Sequence, residues 1–151
     1  MIQRIQSLYL LIVVILMGLM LNNPIISFII DNKIYDLTAF KLAENNTKEE
    51  IFATMPLAII IIAVALISFL TIFLYKNRKL QMKLTLFNWV LTIGVYVLIF
   101  YYYEQAMAIK KLVFAFRMPL IYPLISLILL ILAFRGIKKD EEIVQSINHI
   151  R

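Results

Sequence analysis

No cysteine occurs in this chain, and only three glycines and one histidine are found among its 151 residues. Without thiols there is no disulfide framework, no thiol nucleophile and no cysteine-built metal site. So few glycines leave no phosphate-cradling loop, and Gly18 and Gly94 stand too isolated to form a small-residue packing face. His149 lies beside Asn148 with no second ligand at usable spacing, so it reads as a solvated histidine rather than a metal ligand. Charge is missing from four long stretches, at 5–23, 55–75, 84–103 and 118–134. A buried ionisable group is the usual mark of a proton relay, ion path or voltage sensor, and these stretches contain none.

What is present is apolar: 63% of the residues are hydrophobic, where a soluble domain holds roughly half. A soluble fold of this size has no interior large enough for that surface, which points to lipid as the solvent. Each uncharged stretch approaches or reaches the ~20 residues needed to cross a hydrocarbon core as a helix. The net charge of +6 gathers at the ends of these runs. That placement reads as membrane topology and not as a nucleic-acid-binding face.

The segment around which the chain is arranged is 75–83, YKNRKLQMK, with Lys76, Arg78, Lys79 and Lys83 and no acid. A short basic turn between two spans is held on the cytoplasmic side by the positive-inside rule. With both termini on that side, nine basic residues fall inside (Arg4, Lys76, Arg78, Lys79, Lys83, Arg135, Lys138, Lys139, Arg151) and six outside (Lys33, Lys41, Lys48, Lys110, Lys111, Arg117). The expected protein is a single all-α membrane domain of four transmembrane helices in a bacterial inner membrane, both termini cytoplasmic. Outer segments occupy 24–54 and 104–117, the basic loop 76–83 and the tail 135–151.

The run at 5–23 is expected to remain as an uncleaved first span, because Asn22, Asn23 and Pro24 end it without a small-residue cleavage pattern. Beyond it, two short β-prone runs around Asp31 and Asn32 suggest a small hairpin. The polar stretch 41–50 reads as loop or one or two helical turns, with an Asn45-Asn46-Thr47 match to the glycosylation pattern that arises often by chance. Pro56 belongs in the first turn of the second span. Tyr101, Tyr102 and Tyr103 read as an interfacial belt with wet hydroxyls. The apolar run 112–116 is expected to lie flat on the outer surface. Pro123 is expected to bend the outer part of the fourth span. In the tail, Ile143, Val144, Ile147 and Ile150 share one helical stripe, predicting an amphipathic helix.

The segments MIQRIQ, YKNRKLQ and RGIKKDE, in this order, resemble those of DUF4293. That is a family of small four-span inner-membrane proteins, mostly from Bacteroidota, known only as a domain of unknown function. The resemblance covers the whole chain. It implies four helices and an outer hairpin-like segment, and it lends no activity.

Candidate contact residues follow from charge and polarity. Arg4, Lys76, Arg78, Lys79, Lys83, Lys138, Lys139, Asp140 and Glu141 all belong to the expected cytoplasmic face, where they meet anionic lipid headgroups or a partner. Opposite charge on the loop and the tail predicts that the tail folds back, bringing Arg78 or Lys79 to Asp140 or Glu141 with Arg4 nearby. Asn88 and Thr92, one turn apart on the third span, with Ser68 and Thr71 on the second, are candidates for hydrogen bonds between helices or for the lining of a solute path. The outer acids Asp31, Asp36, Glu44, Glu49 and Glu50 read as a solvated loop, not an acid–base pair. No cofactor or metal is indicated. The best reading is a non-catalytic subunit or assembly factor of a larger inner-membrane complex, bound to lipid and to other membrane proteins. The alternatives are a small oligomeric transporter or channel with its path near Asn88 and Thr92, or, less favoured, an enzyme acting on lipid.

Overall fold

The computed structural model describes residues 2–30, 33–44, 50–75, 77–109 and 113–148. Four helices, α1 (Ile2–Asn22), α2 (Met55–Phe73), α3 (Arg78–Ile109) and α4 (Tyr122–Asn148), form the bulk of it. Each is long and apolar enough to cross a membrane. They run up, down, up and down in a ring, with α1 against α2 and α4, and α3 against α2 and α4.

The pattern of burial explains the ring. On α3 the buried positions are Gln81, Thr85, Asn88, Thr92, Val95, Ile99, Tyr102 and Ala106. These alternate steps of four and three, the spacing that keeps one seam of a helix turned inward along its whole length. Gln6, Leu10, Val13, Met17 and Met20 do the same on α1, and Ser126, Leu130, Ala133, Ile137 and Asp140 on α4. The outward faces carry large apolar groups instead, among them Ile59, Leu66, Phe73, Val97 and Phe100. The seams mix apolar side chains with hydrogen-bonding ones, such as Gln81, Thr85, Asn88 and Thr92 on α3. The α2–α3 seam is close enough that a methyl group on Gly94 would sit 3.0 Å from Cδ1 of Ile60.

At one end of the bundle lies a five-stranded sheet: β1 (Ile26–Ile30), β2 (Lys33–Leu37), β3 (Lys41–Glu44), β4 (Glu50–Ala53) and β5 (Val113–Phe116). Its order is β4-β3-β2-β1-β5, and every neighbouring pair is antiparallel. One face carries Ile26, Phe28, Leu37 and Leu42, all buried, toward the helices. The last turns of α3 carry this face. Tyr102 stacks on Phe52 at 6.0 Å and Tyr103 on Phe28 at 6.2 Å between ring centroids.

Several expectations are corrected by these contacts. The fold is mostly helical but not all-α, since the segments 24–54 and 104–117 contribute the strands of a sheet. The anticipated hairpin is the β1–β2 pair, with Ile30 opposite Lys33; its turn residues Asp31 and Asn32 lie outside the described residues. In the stretch 41–50, Lys41–Glu44 form β3 and Glu50 opens β4, while 45–49 lie outside the described residues; Val113–Phe116 is a strand that pairs with β1. Strands this short, with a partner distant in sequence, show no countable alternation. Tyr102 is buried against the sheet instead of standing in an interfacial belt.

The basic segment is mostly helix, because α3 begins at Arg78 with the Asn77 side chain accepting from the Leu80 N–H at 3.4 Å. That is an N-cap contact, which supplies an acceptor to one of the free first-turn donors. Pro123 is the second residue of α4, after a 3-10 turn at Met118–Ile121. Its missing N–H costs little there, so no bend is needed. The tail does not fold back as a separate helix; it is the continuation of α4 through Gly136. Ile143 and Val144 are exposed on its last turns, while the Ile147 side chain and Ile150 lie outside what is described.

Candidate functional site

Far from the sheet, where α2 turns into α3, four elements bring polar side chains together. Gln6 of α1 donates its amide to Oδ2 of Asp140 on α4 at 2.8 Å. Arg78, the first residue of α3, donates to the backbone carbonyl of Asp140 at 2.9 Å. Gln81 donates to the carbonyl of Thr71, near the end of α2, at 3.2 Å. Gln6 and Gln81 are each 4% exposed and Asp140 is 9% exposed, so these contacts satisfy groups that burial would otherwise penalise. Between them lies a cavity of about 20 Å³ lined by Gln6, Ser7, Tyr75, Arg78, Gln81, Ile137 and Asp140. It has room for about one water.

Gly136 makes this cluster possible. A Cβ there would lie 2.9 Å from Cγ of Gln6 and 3.1 Å from its Nε2. The glycine therefore lets α1 approach α4 at the level where the glutamine must reach Asp140.

A second group lies midway along the α2–α3 seam. Asn88 donates to Oγ of Ser68 at 2.6 Å and to the carbonyl of Val64 at 3.2 Å. Thr92 donates to the Asn88 carbonyl at 2.8 Å and Thr71 to the Ile67 carbonyl at 2.6 Å, each within its own helix. Such back-bonding satisfies a hydroxyl without a partner helix. Among the described residues, Oδ1 of Asn88 and Nε1 of Trp89 are buried without a hydrogen-bond partner.

The third group belongs to the sheet. Ser27 donates to Oδ1 of Asp36 at 2.5 Å and accepts from Nε of Arg117 at 2.7 Å, and Arg117 also approaches Asp36 at 3.7 Å. The hydroxyl oxygen is engaged from both sides, so the trio ties β1, β2 and the residue after β5 together rather than freeing a nucleophile. Glu44, 4% exposed, receives Lys33 at 3.1 Å. Asp36 and Glu44 are thus not solvated loop acids as expected. Asp31, Glu49 and the Glu50 side chain lie outside what is described.

Of the residues expected at the basic end, Arg78 and Asp140 meet, but through the Asp140 carbonyl rather than its carboxylate. Lys79, Lys83 and Lys139 are exposed. Lys138 approaches Glu142 at 3.9 Å on the same helix, and Glu141 accepts from Gln145 at 3.1 Å. The Arg4 side chain and Lys76 lie outside the described residues. Sequence reasoning passed over Gln6, Gln81, Thr85 and Ser126, all buried. For Gln81 and Thr85 the signal was their spacing of four and three from each other and from Asn88 and Thr92; Gln6 and Ser126 carried no such signal. Among the described residues no three His, Cys, Asp or Glu side chains come together as a metal site.

The model of one protein family, a domain of unknown function (DUF4293), matches residues 2–150. No curated protein matches the chain.

Proposed function

This chain belongs to the DUF4293 family, and from that premise we propose that it is a non-catalytic subunit or assembly factor of a larger inner-membrane complex. One observation supports this over transport or catalysis: among the described residues, the polar groups buried in the bundle bond to one another or to backbone, apart from Oδ1 of Asn88 and Nε1 of Trp89. Gln6 with Asp140, Arg78 with the Asp140 carbonyl, and Asn88 with Ser68 all lock helices together. A solute path needs such groups turned toward a shared opening, and catalysis needs an acid and a base facing one vacancy.

In this reading the bundle is an anchor and the sheet is the exported part, held outside by the basic turn at the other end. Both termini are cytoplasmic. Cysteines introduced singly at exposed Ile51 in β4 and at Asn77 label from opposite sides of the membrane, position 51 from outside; position 77 labelling first in intact cells reverses the orientation. Purification of the tagged chain from its own membrane in mild detergent, followed by mass determination, tests the subunit role. A stoichiometric partner supports it.

The unpaired Oδ1 of Asn88 favours the second reading, a small oligomeric transporter. A homo-oligomer that carries solute flux in proteoliposomes, lost on Asn88→Val, replaces the first proposal with the second.

A further inference from the structure

Between α3 and α4, toward the basic end, runs a groove of about 350 Å³. Its walls are Trp89, Leu130, Ile131 and Phe134, and its rim carries Arg135 and Lys138. The two cations lie at one end only. Ile131 and Arg135 are one helical turn apart on α4, about 6 Å along its axis. The site therefore has the polarity of an amphiphile: a cationic end at the edge of the apolar girdle and an oily cleft extending from it toward the middle of the bundle.

We propose that this groove binds one anionic phospholipid, its phosphate at Arg135 and Lys138 and an acyl chain along Trp89, Ile131 and Phe134. Charge complementarity selects this occupant over a zwitterionic lipid or an apolar protein helix. A headgroup without net charge gains little from two adjacent cations, and a helix of apolar side chains leaves both unmatched. Glu142, 3.9 Å from Lys138, competes weakly, since both side chains are more than half exposed and such pairs are worth little. The guanidinium adds a planar fork suited to phosphate oxygens. The inference rests on the membrane-embedded reading above, and on neither the orientation nor the partner proposed there.

Trp89 is the only tryptophan in the chain, so its fluorescence reports on this groove alone. The full chain is reconstituted in phosphatidylcholine bilayers, and a fixed fraction of lipid is replaced by acyl-brominated phosphatidylcholine or by acyl-brominated phosphatidylglycerol. Brominated phosphatidylglycerol is expected to quench Trp89 with a preference of about thirtyfold, the order that two interfacial cations supply. Excess unbrominated phosphatidylglycerol reverses the quenching. Arg135→Gln combined with Lys138→Gln lowers it to the phosphatidylcholine level while leaving quenching by brominated phosphatidylcholine unchanged. Equal quenching by the two brominated lipids in the wild-type chain overturns the site, and that comparison needs no variant. Weak quenching by both shows the groove covered by protein, a second copy included, and also overturns it. Failure of the chain to incorporate into bilayers at all, read by flotation, refutes the membrane-embedded reading itself.

Discussion

Replacing Gly136 with alanine is expected to change sign in its effect according to what stands at position 6. In the wild-type chain the new methyl group meets Cγ of Gln6 at 2.9 Å and its amide nitrogen at 3.1 Å. Contacts that short force Gln6 to move, and the bond it donates to Asp140 at 2.8 Å is lost or stretched. A hydrogen bond to a charged group is worth about 1.5–3 kcal/mol. Alanine recovers about 0.8–1 kcal/mol over glycine inside a helix. The net is a destabilisation of about 0.5–2 kcal/mol. With Gln6→Ala already in place there is neither clash nor bond to lose, and Gly136→Ala then stabilises by about 1 kcal/mol. The measurement is a double-mutant cycle on the four proteins in one detergent, by reversible unfolding, with the coupling read as the departure from additivity. An effect of the same sign and size in both backgrounds refutes the account, since Gln6 is then not what position 136 must accommodate.

Ser68→Ala removes one acceptor of Asn88, and a cost of about 0.6 kcal/mol, at most about 1.7, is expected from comparable contacts in membrane bundles. Asn88→Ala loses both of its bonds and should cost more; a smaller loss in thermal stability than Ser68→Ala contradicts this assignment. Arg78→Glu destabilises, and adding Asp140→Lys does not rescue it, because Arg78 is held by the Asp140 carbonyl and the carboxylate belongs to Gln6. Recovery of stability in that double reversal, once insertion has been checked, restores the simple ion-pair picture. Arg117→Ala releases the tie to Ser27 and Asp36 and should raise amide exchange across Val113–Phe116 before it lowers global stability. Unchanged protection there shows that backbone pairing alone holds β5.

The four long apolar helices were legible in the sequence because membrane thickness imposes a length, and a run free of charge over that length has few other uses. The cluster of basic residues was equally plain, since charge clustering needs no partner to be seen, but its helical conformation from Arg78 onward was not. The hairpin about Asp31 and Asn32 was recognisable because both of its strands lie within a dozen residues. Tertiary structure alone decided the rest. β5 becomes a strand because β1 offers it an edge, and no local pattern in VFAF announces that. Tyr102 is buried because Phe52 comes to meet it. Gln6, Arg78 and Asp140 lie at the beginning, middle and end of the chain, and only the antiparallel return of α4 along α1 sets them side by side. Gly136 carries no meaning until Gln6 stands opposite. Apolar patterning, which marks the core of a soluble protein, does not separate inside from outside here, because both faces of these helices carry large apolar groups. On α3 part of the inward seam is written in polar residues at steps of four and three, Gln81, Thr85, Asn88 and Thr92, and their partners are settled by which helices touch.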